Sequence, residues 1–140
     1  MNAFLDTSSL LKLYHNEPGT DTLIATLSQG IENLYLSELA ILEFRSAIWK
    51  RTGEIDMDIA NTVIAGFQQD YAKFQWISID NELIQQAQEL LMKYGSAGLR
   101  TLDAIQLASA LTLKGQSKIC FLSADKLLKS FFKAEGLEET

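Results

Sequence analysis

A chain of 140 residues that is 47% hydrophobic and 21% charged falls outside the disordered, collagen-like and low-complexity classes. It is long enough for one domain, residues 1–140, with a substantial core. The single cysteine, Cys120, excludes an internal disulfide, and no apolar run is typical of a signal peptide or membrane span. We therefore expect a cytoplasmic protein with no membrane partner. The net charge of −6 argues against a general nucleic-acid coat.

The first half of the chain predicts two strands and four helices. A short strand "AFL" ends at Asp6, and "TSSLLKLYHNE" continues at helical spacing. The stretch "EPGTDTLIATLSQG" predicts a second helix, with Pro18 near its first turn and Gly30 past its end. The run "NLYLS" predicts a second strand. Two further helices follow in "SELAILEFRSAIWKRTG", with Ser37 as N-cap and Gly53 as its stop, and in "DMDIANTVIAGFQQDYAK".

The second half predicts two strands and three helices. "FQWISID" predicts strand three, and Asp80 caps the helix "NELIQQAQELLMKYG". A turn "GSAG" precedes the helix "LRTLDAIQLASALTLKG", which is followed by the strand "KICFLS" and a last helix "ADKLLKSFFKAEG". The alternation of strands and helices indicates an α/β fold with a mainly parallel sheet covered on both faces. We expect helical content well above one third.

Four carboxylates are predicted to meet at one edge of this sheet. Asp6 and Asp125 each follow a strand, and ligands of open parallel sheets bind outside the carboxyl ends of the strands. Glu43 and Asp103 each lie in a helix whose neighbouring positions are mostly apolar. Because acids are rarely buried unless they are paired or bind a metal, this placement suggests a common site.

Each acid also has a purely structural explanation. Asp6 can cap the helix that follows it. Asp103 and Asp125 can be first-turn acids that are favoured by the helix dipole. Glu43 can lie at the margin of its apolar face and pair with Lys50 or near Arg45. These explanations are adequate one at a time, but together they must account for four acids directed to one end of a sheet.

Grouped carboxylates repel each other and raise each other's pKa unless a cation neutralises them. Oxygen ligands select hard ions such as Mg²⁺ or Mn²⁺, with water molecules completing the shell. A pair of such ions can activate a water molecule and stabilise the leaving oxygen of a phosphodiester. The four acids therefore predict a metal-dependent nuclease with one or two ions per site.

The sequence resembles the PIN-domain family, and within it the VapC-type ribonuclease toxins of type II toxin–antitoxin pairs. The resemblance rests on four ordered stretches that span nearly the whole chain: "FLDTSSLLKLYHNEPG", "YLSELAILEFRSAIWKR", "LRTLDAIQLASAL" and "CFLSADKLLK". It implies a compact α/β/α sandwich, Mg²⁺ or Mn²⁺ as cofactor, RNA as substrate, a cognate antitoxin as partner and a homodimer. We expect the dimer contacts within residues 37–73.

The family's catalytic and metal-binding acids match four positions of this chain: Asp6, Glu43, Asp103 and Asp125. Small hydroxyl residues stand beside them, as orienting partners or as ordinary helix caps: Thr7, Ser8 and Ser123. Basic residues are weaker candidates for contacts with RNA: Arg45, Arg51, Arg100, Lys114, Lys126 and Lys129.

The chain departs from the family pattern in two places. Gln106 stands where many relatives carry histidine, and because it lies outside the four acids, we expect it to alter substrate contacts rather than the chemistry. The tail "EGLEET" ends soon after the last helix, so we expect a final edge strand to be short or missing.

Two other functions are compatible with the same fold class. A phosphoryl receiver domain also holds Mg²⁺ with carboxylates at strand ends, but it needs adjacent acids after strand one, where this chain has Thr7 and Ser8. Only Asp80 and Lys126 fit that pattern loosely. A non-catalytic PIN-like interaction module would have no reason to tolerate four grouped acids.

Overall fold

The computed structural model describes residues 1–53 and 56–138. Its centre is a parallel sheet with strand order β3-β2-β1-β4. The strands are β1 (Asn2–Leu5), β2 (Asn33–Ser37), β3 (Gln75–Ile77) and β4 (Ile119–Leu122). In the register Phe4 lies opposite Tyr35 on one side and Phe121 on the other. The predicted parallel sheet is confirmed.

Helices connect the strands and cover both faces of the sheet. Their bounds are α1 (Thr7–Tyr14), α2 (Thr20–Leu27), α3 (Leu39–Ile48), α4 (Met57–Gln69), α5 (Asn81–Tyr94), α6 (Thr101–Leu111) and α7 (Lys126–Ala134). A short π-helix, Trp49–Gly53, prolongs α3, and 3-10 turns follow α4 and α5. Over the described ranges, no helix combines the length and apolar character that crossing a bilayer requires.

Aspartate caps fix where four of these helices begin. The side chains of Asp6, Asp56, Asp80 and Asp125 each accept a backbone N–H of the first turn of the following helix. Such a cap satisfies a donor that has no partner within the helix. Asp6 and Asp125 are therefore held at the carboxyl ends of β1 and β4.

The alternation of side chains along β1 divides the core into two layers. Phe4 faces α5, α6 and α7, where it packs with Leu107, Phe121 and Phe132. Its neighbours Ala3 and Leu5 face the opposite layer, which is formed by α1 to α4. Because successive strand residues point to opposite faces, β1 supplies both layers, and the expected α/β/α sandwich results.

Two local predictions need correction. The helix predicted to run from Ser37 to Gly53 changes to the wider π form at Trp49, and Ser37 instead ends β2, with its Oγ accepting the Leu39 N–H at 3.2 Å. Strand β3 is only three residues long. The final edge strand agrees with its expectation of being short or missing: the described residues contain no strand after β4, and the Phe121 N–H donates to the Glu138 carbonyl at 2.8 Å. Residues 139–140 of the tail lie outside the described part.

Candidate active site

The carboxyl edge of the sheet brings residues from four elements together. Asp6 follows β1, Asp125 follows β4, and Glu43 lies on the helix that follows β2. The first turns of α6, which carry Asp103, reach the same edge, because Gln106 hydrogen-bonds to Glu43. The predicted convergence of the four segments is observed.

Asp6 is the most enclosed of the four acids, with 2% of its surface exposed. Its Oδ1 accepts the Ser9 N–H at 2.9 Å, and Ser8 Oγ lies 2.8 Å from both carboxylate oxygens. Ser123 Oγ donates to Oδ2 at 2.5 Å. Ser8 also accepts the Ala124 N–H at 2.9 Å, so these contacts join the start of α1 to the loop after β4.

Burial dominates the electrostatics of Asp6. Removal from water raises the pKa of this carboxyl from 3.8 to about 6, although the hydrogen bonds from Ser123, Ser9 and Ser8 act in the opposite direction. A carboxylate in such an environment gains from any nearby positive charge. Among the described residues, no lysine or arginine forms an ion pair with it.

Glu43 is half-buried and is held through one carboxylate oxygen. Thr7 Oγ1 donates to its Oε1 at 2.8 Å, and Gln106 Nε2 donates to the same oxygen at 2.9 Å. Gln106 Nε2 also lies 3.1 Å from Thr7 Oγ1, which closes a three-residue ring of contacts between α1, α3 and α6. In the described part of the chain Glu43 does not form the ion pair with Lys50 or with Arg45 that the structural explanation allowed.

Asp103 and Asp125 form the more open side of the site. Burial raises the pKa of Asp103, a backbone hydrogen bond at Arg100 lowers it, and the charge of Asp125 raises it. Asp125 is exposed, and its Oδ1 accepts the N–H groups of Leu127 and Leu128 at 2.9 and 3.1 Å. The electrostatic effect of Asp125 on Asp103 shows that the two carboxylates are close enough to repel.

The structural role of Asp6 and Asp125 at helix starts is observed, because both side chains cap helices. Capping uses only part of a carboxylate, which offers about four acceptor positions. The Oδ2 atom of Asp125 accepts no hydrogen bond from the described residues, and neither does Oε2 of Glu43. Helix capping and ion binding are therefore compatible in the same side chains.

The donor atoms fit a hard divalent cation in type and charge. All four residues offer oxygen, Asp6 is held as a buried anion without a cationic partner, and Asp103 is repelled by Asp125. In the ranges 1–53 and 56–138, however, no three acidic, histidine or cysteine side chains are close enough to form a metal site. The four acids therefore lie along one edge of the sheet rather than in one tight shell.

The hydroxyl residues that were expected beside the acids are in contact with them. Thr7 bonds to Glu43, whereas Ser8 and Ser123 bond to Asp6. Ser123 is also the acceptor for the Asp125 N–H at 3.1 Å. These residues orient the carboxylates, and only Ser123 combines that contact with a hydrogen bond to the backbone of a second acid.

The basic candidates lie at different distances from the acids. Arg100 has its Nε 3.8 Å from Asp103 Oδ2, and Lys126 follows Asp125 directly. Arg51 is bonded to Glu17 at 2.8 Å, and its side chain also lines the groove beside Glu43. Three further candidates have other surroundings: Arg45 lines a cavity with Trp49, Lys129 lines one with Phe121, and Lys114 donates to the Glu135 carbonyl. Because about 12 Å of helix separates Asp103 from Leu111, Lys114 is the candidate that the geometry supports least.

Gln106 is the residue that was interpreted wrongly from the sequence. It is 3% exposed, so it cannot be a general substrate contact. Its Oε1 is the one buried side-chain N or O atom of the described residues without a hydrogen-bond partner, which costs about 1–3 kcal/mol. A glutamine within an apolar helix gives no signal of such a contact, because its partners Thr7 and Glu43 lie 99 and 63 residues away.

Comparison with protein families agrees with this architecture. The model of the PIN domain matches residues 3–131, a segment that includes all four acids. The chain belongs to the PIN domain family. No curated protein matches it in sequence.

Solved structures of two bacterial proteins share the PIN fold of this chain. VapC20 of Mycobacterium tuberculosis, described as a sarcin-ricin loop cleaving toxin, is 19% identical with a TM-score of 0.72, and the match covers 99% of this chain and 98% of that one. VapBC-1 of nontypeable Haemophilus influenzae is 15% identical with a TM-score of 0.66, and the match covers 99% and 96%. The likeness therefore extends over nearly the whole of each matched chain.

Proposed function

We propose that this protein is an endoribonuclease that depends on Mg²⁺ or Mn²⁺ and serves as the toxin of a toxin–antitoxin pair. The proposal rests on the position of four carboxylate residues along the carboxyl edge of a PIN-domain sheet, where ligands of parallel sheets bind. The fold neighbour that is described as a ribosomal-loop cleaving toxin supports the choice of RNA. A cytoplasmic location goes with an RNA substrate.

The acids would hold one or two divalent ions, with Asp6 and Glu43 on the enclosed side and Asp103 and Asp125 on the open side. Bound there, the ions would activate water and stabilise the leaving oxygen of a phosphodiester. Ser8 and Ser123 fix both oxygens of Asp6, so that carboxylate needs little reorganisation.

RNA would approach from the open side, where Arg100 and Lys126 flank the acids. Both side chains are exposed, so they can contact phosphates while the acids remain bound to metal. Such contacts release counterions, which makes binding weaker as the salt concentration increases. A net charge of −6 on the whole chain restricts this attraction to the local surroundings of the site.

An antitoxin would occupy the groove beside Glu43. This groove of about 480 Å³ is lined by Thr7, Glu43 and Lys50 together with three leucines, of which Leu42 is 69% and Leu102 49% exposed. Exposed apolar side chains next to an acid suit a peptide that pairs an apolar segment with a basic residue, most simply an arginine that faces the acids. A complex that cleaves RNA as fast as the free chain would contradict this mode of inhibition.

A homodimer through residues 37–73 is a further part of the proposal. Four large apolar side chains are exposed among the described residues of this segment: Leu42, Trp49, Met57 and Ile59, at 69%, 42%, 57% and 50%. Exposed aromatic and methionine side chains are enriched at interfaces between proteins. Light scattering on the native chain and on the variant Ile59→Asp would test this contact, because a charge there should shift the protein to a monomer.

The nuclease proposal is tested by incubating RNA with the purified chain and Mg²⁺ or Mn²⁺, and then with EDTA added. Asp6→Asn should remove nearly all cleavage and Asp103→Asn should reduce it by a smaller factor, while circular dichroism shows that both remain folded. Asp80→Asn is the matched control, because Asp80 also caps a helix after a strand but is not one of the four acids. Cleavage that persists with EDTA, or is equal in all three variants, would contradict the proposal.

One observation favours a second candidate, a non-catalytic PIN-like interaction module. It is the spacing of the acids, because no three of them are close enough together for a metal site in the described ranges. The two candidates differ in metal binding, because only the nuclease requires it. Calorimetric titration with Mn²⁺ should give saturable binding that Asp6→Asn weakens, and a chain that binds no Mn²⁺ would favour the module.

A further inference from the structure

The contact between Gln106 and Glu43 suggests a role that the four acids alone do not reveal. We propose that Gln106 is a positioning residue that holds Oε1 of Glu43 towards α1 and so leaves Oε2 to face the metal. This inference rests on the proposed nuclease function and adds a fifth residue to its site. It replaces the expectation that Gln106 alters substrate contacts.

The hydrogen-bond chemistry fixes the orientation of the Gln106 amide. An ionised carboxylate only accepts hydrogen bonds, so Thr7 must donate its single hydroxyl proton to Glu43 Oε1, at 2.8 Å. Gln106 Nε2 can then donate one hydrogen to Glu43, at 2.9 Å, and the other to Thr7 Oγ1, at 3.1 Å. A flipped amide would place its oxygen against the carboxylate, where two acceptors would repel.

This orientation leaves the amide oxygen buried without a partner among the described residues. A side chain that served only packing would not retain such an atom, because an apolar residue of similar volume fills a buried position without it. Of the other buried residues of α6, only Ser109 is polar, and its hydroxyl is already satisfied by the Ile105 carbonyl at 2.8 Å. The amide is thus explained by its two donated hydrogen bonds and not by the packing.

The substitution Gln106→Met tests this role, because it keeps the length of the side chain and removes both donors. Titration with Mn²⁺ alone should show binding about tenfold weaker than in the native chain, as is typical when an orienting partner is lost. The thermal midpoint should stay equal or increase, because the unpartnered oxygen disappears. Ser109→Ala is the matched control. Ser109 is buried on the same helix, and its hydroxyl donates a hydrogen bond to the Ile105 carbonyl rather than to an acid.

A second substitution, Gln106→His, keeps one N–H donor and should restore Mn²⁺ binding to within about threefold of the native value. RNA cleavage by Gln106→Met should show a lower kcat with an unchanged KM, because a buried residue does not contact RNA. This division separates positioning from substrate binding.

The outcomes distinguish the inference from the proposed function. If Gln106→Met binds Mn²⁺ as tightly as the native chain, the inference is overturned and the proposed function is not affected. A lower thermal midpoint together with that unchanged affinity would show that Gln106 serves only the packing of the core. If Gln106→Met does not fold, the histidine variant decides: native-like affinity supports the positioning role, and affinity more than tenfold weaker overturns it. If the native chain binds no Mn²⁺, the inference fails together with the metal-dependent function.

Discussion

The two sides of the acid site are built differently. On the enclosed side, Asp6 and Glu43 accept hydrogen bonds from Thr7, Ser8 and Gln106, and Asp6 is 2% exposed. On the open side, Asp103 and Asp125 share no hydrogen bond within the described residues, and the charge of Asp125 raises the pKa of Asp103. Hydrogen bonds thus hold the carboxylates of Asp6 and Glu43 in place before an ion binds. The carboxylates of Asp103 and Asp125 repel each other as long as no ion is bound.

This difference suggests that the enclosed and the open side contribute differently to the binding of a metal ion. A fixed, desolvated carboxylate supplies most of the electrostatic attraction, because a charge interacts more strongly where water is excluded. The open pair can adjust to the ion and to the RNA. Substitutions on the enclosed side should therefore have larger effects than those on the open side.

The largest effect is expected for Asp6→Asn. Loss of a buried carboxylate ligand should reduce RNA cleavage by about a thousandfold, equivalent to about 4 kcal/mol of transition-state stabilisation. Asparagine is as good an N-cap as aspartate, so the Ser9 N–H keeps its acceptor. Cleavage rates measured beside thermal unfolding would check both statements, and a variant that loses stability as well as activity would indicate a mainly structural role.

The next largest effect is on the pH dependence of stability. The native pKa of Asp6, about 6, is above the unfolded value of 3.8, so the native state binds more protons between these values. In the metal-free protein its stabilising contribution is therefore fully present below about pH 4. It is lost as the pH rises through 6, at a cost of about 2–3 kcal/mol in the free energy of unfolding.

Urea unfolding at several pH values would measure this contribution, with Asp6→Asn as the reference. The difference in stability between the two proteins should increase in favour of asparagine across this window. Other shifted carboxyls, such as Glu17 with its lowered pKa, are common to both proteins and cancel in the difference. If the difference in the free energy of unfolding between the two proteins does not change with pH, burial does not destabilise the charged form of Asp6.

A smaller effect is expected for Asp125→Asn on the open side. The amide oxygen can still cap Leu127 and Leu128, but the repulsion on Asp103 is removed. The pKa of Asp103 should fall, and cleavage should decrease about tenfold, or about 1.4 kcal/mol. Titration of Asp103 followed by NMR would measure the shift, with Asp80→Asn as a control in which it stays unchanged. A decrease in cleavage as large as that of Asp6→Asn would remove the contrast between the two sides.

The smallest effect is expected for Arg100→Gln. Arg100 is 86% exposed and 3.8 Å from Asp103, and a surface pair of this kind contributes about 0–1 kcal/mol. Its loss should leave the fold intact, raise KM about two- to threefold at low salt and weaken the salt dependence of binding. Kinetics at low and moderate salt would show this, with Lys73→Gln as an exposed control from an ion pair with Asp70. Identical salt dependence in both variants would exclude Arg100 from RNA binding.

Much of this organisation could be predicted from the sequence, because it follows local rules. Asp6 and Asp125 were found from strands that end in an acid, and Glu43 and Asp103 from charges within apolar helices. The contacts that join these segments could not be predicted. Gln106, which makes one of these contacts, is a single polar residue, and no motif in the sequence around it indicates its partners.

Long-range pairing limits prediction elsewhere in the chain as well. Arg51 was expected to be available to RNA, but its Nε donates to Glu17, which is 34 residues away, at 2.8 Å. The final tail was expected to form at most a short edge strand, and the hydrogen bond that it does make, from the Phe121 N–H to the Glu138 carbonyl, could not be located from the sequence. In each case the partner is set by the packing of distant segments, and no feature of the local sequence indicates it.

The central claim is that the four acids hold a divalent ion, and a crystal soaked with Mn²⁺ tests it most directly. The anomalous difference map should show a peak that is coordinated by Asp6 and by at least one of Glu43, Asp103 and Asp125. The same soak of Asp6→Asn crystals should show a much weaker peak. A map without a peak at this edge, or with an equal peak in the variant, would contradict the claim.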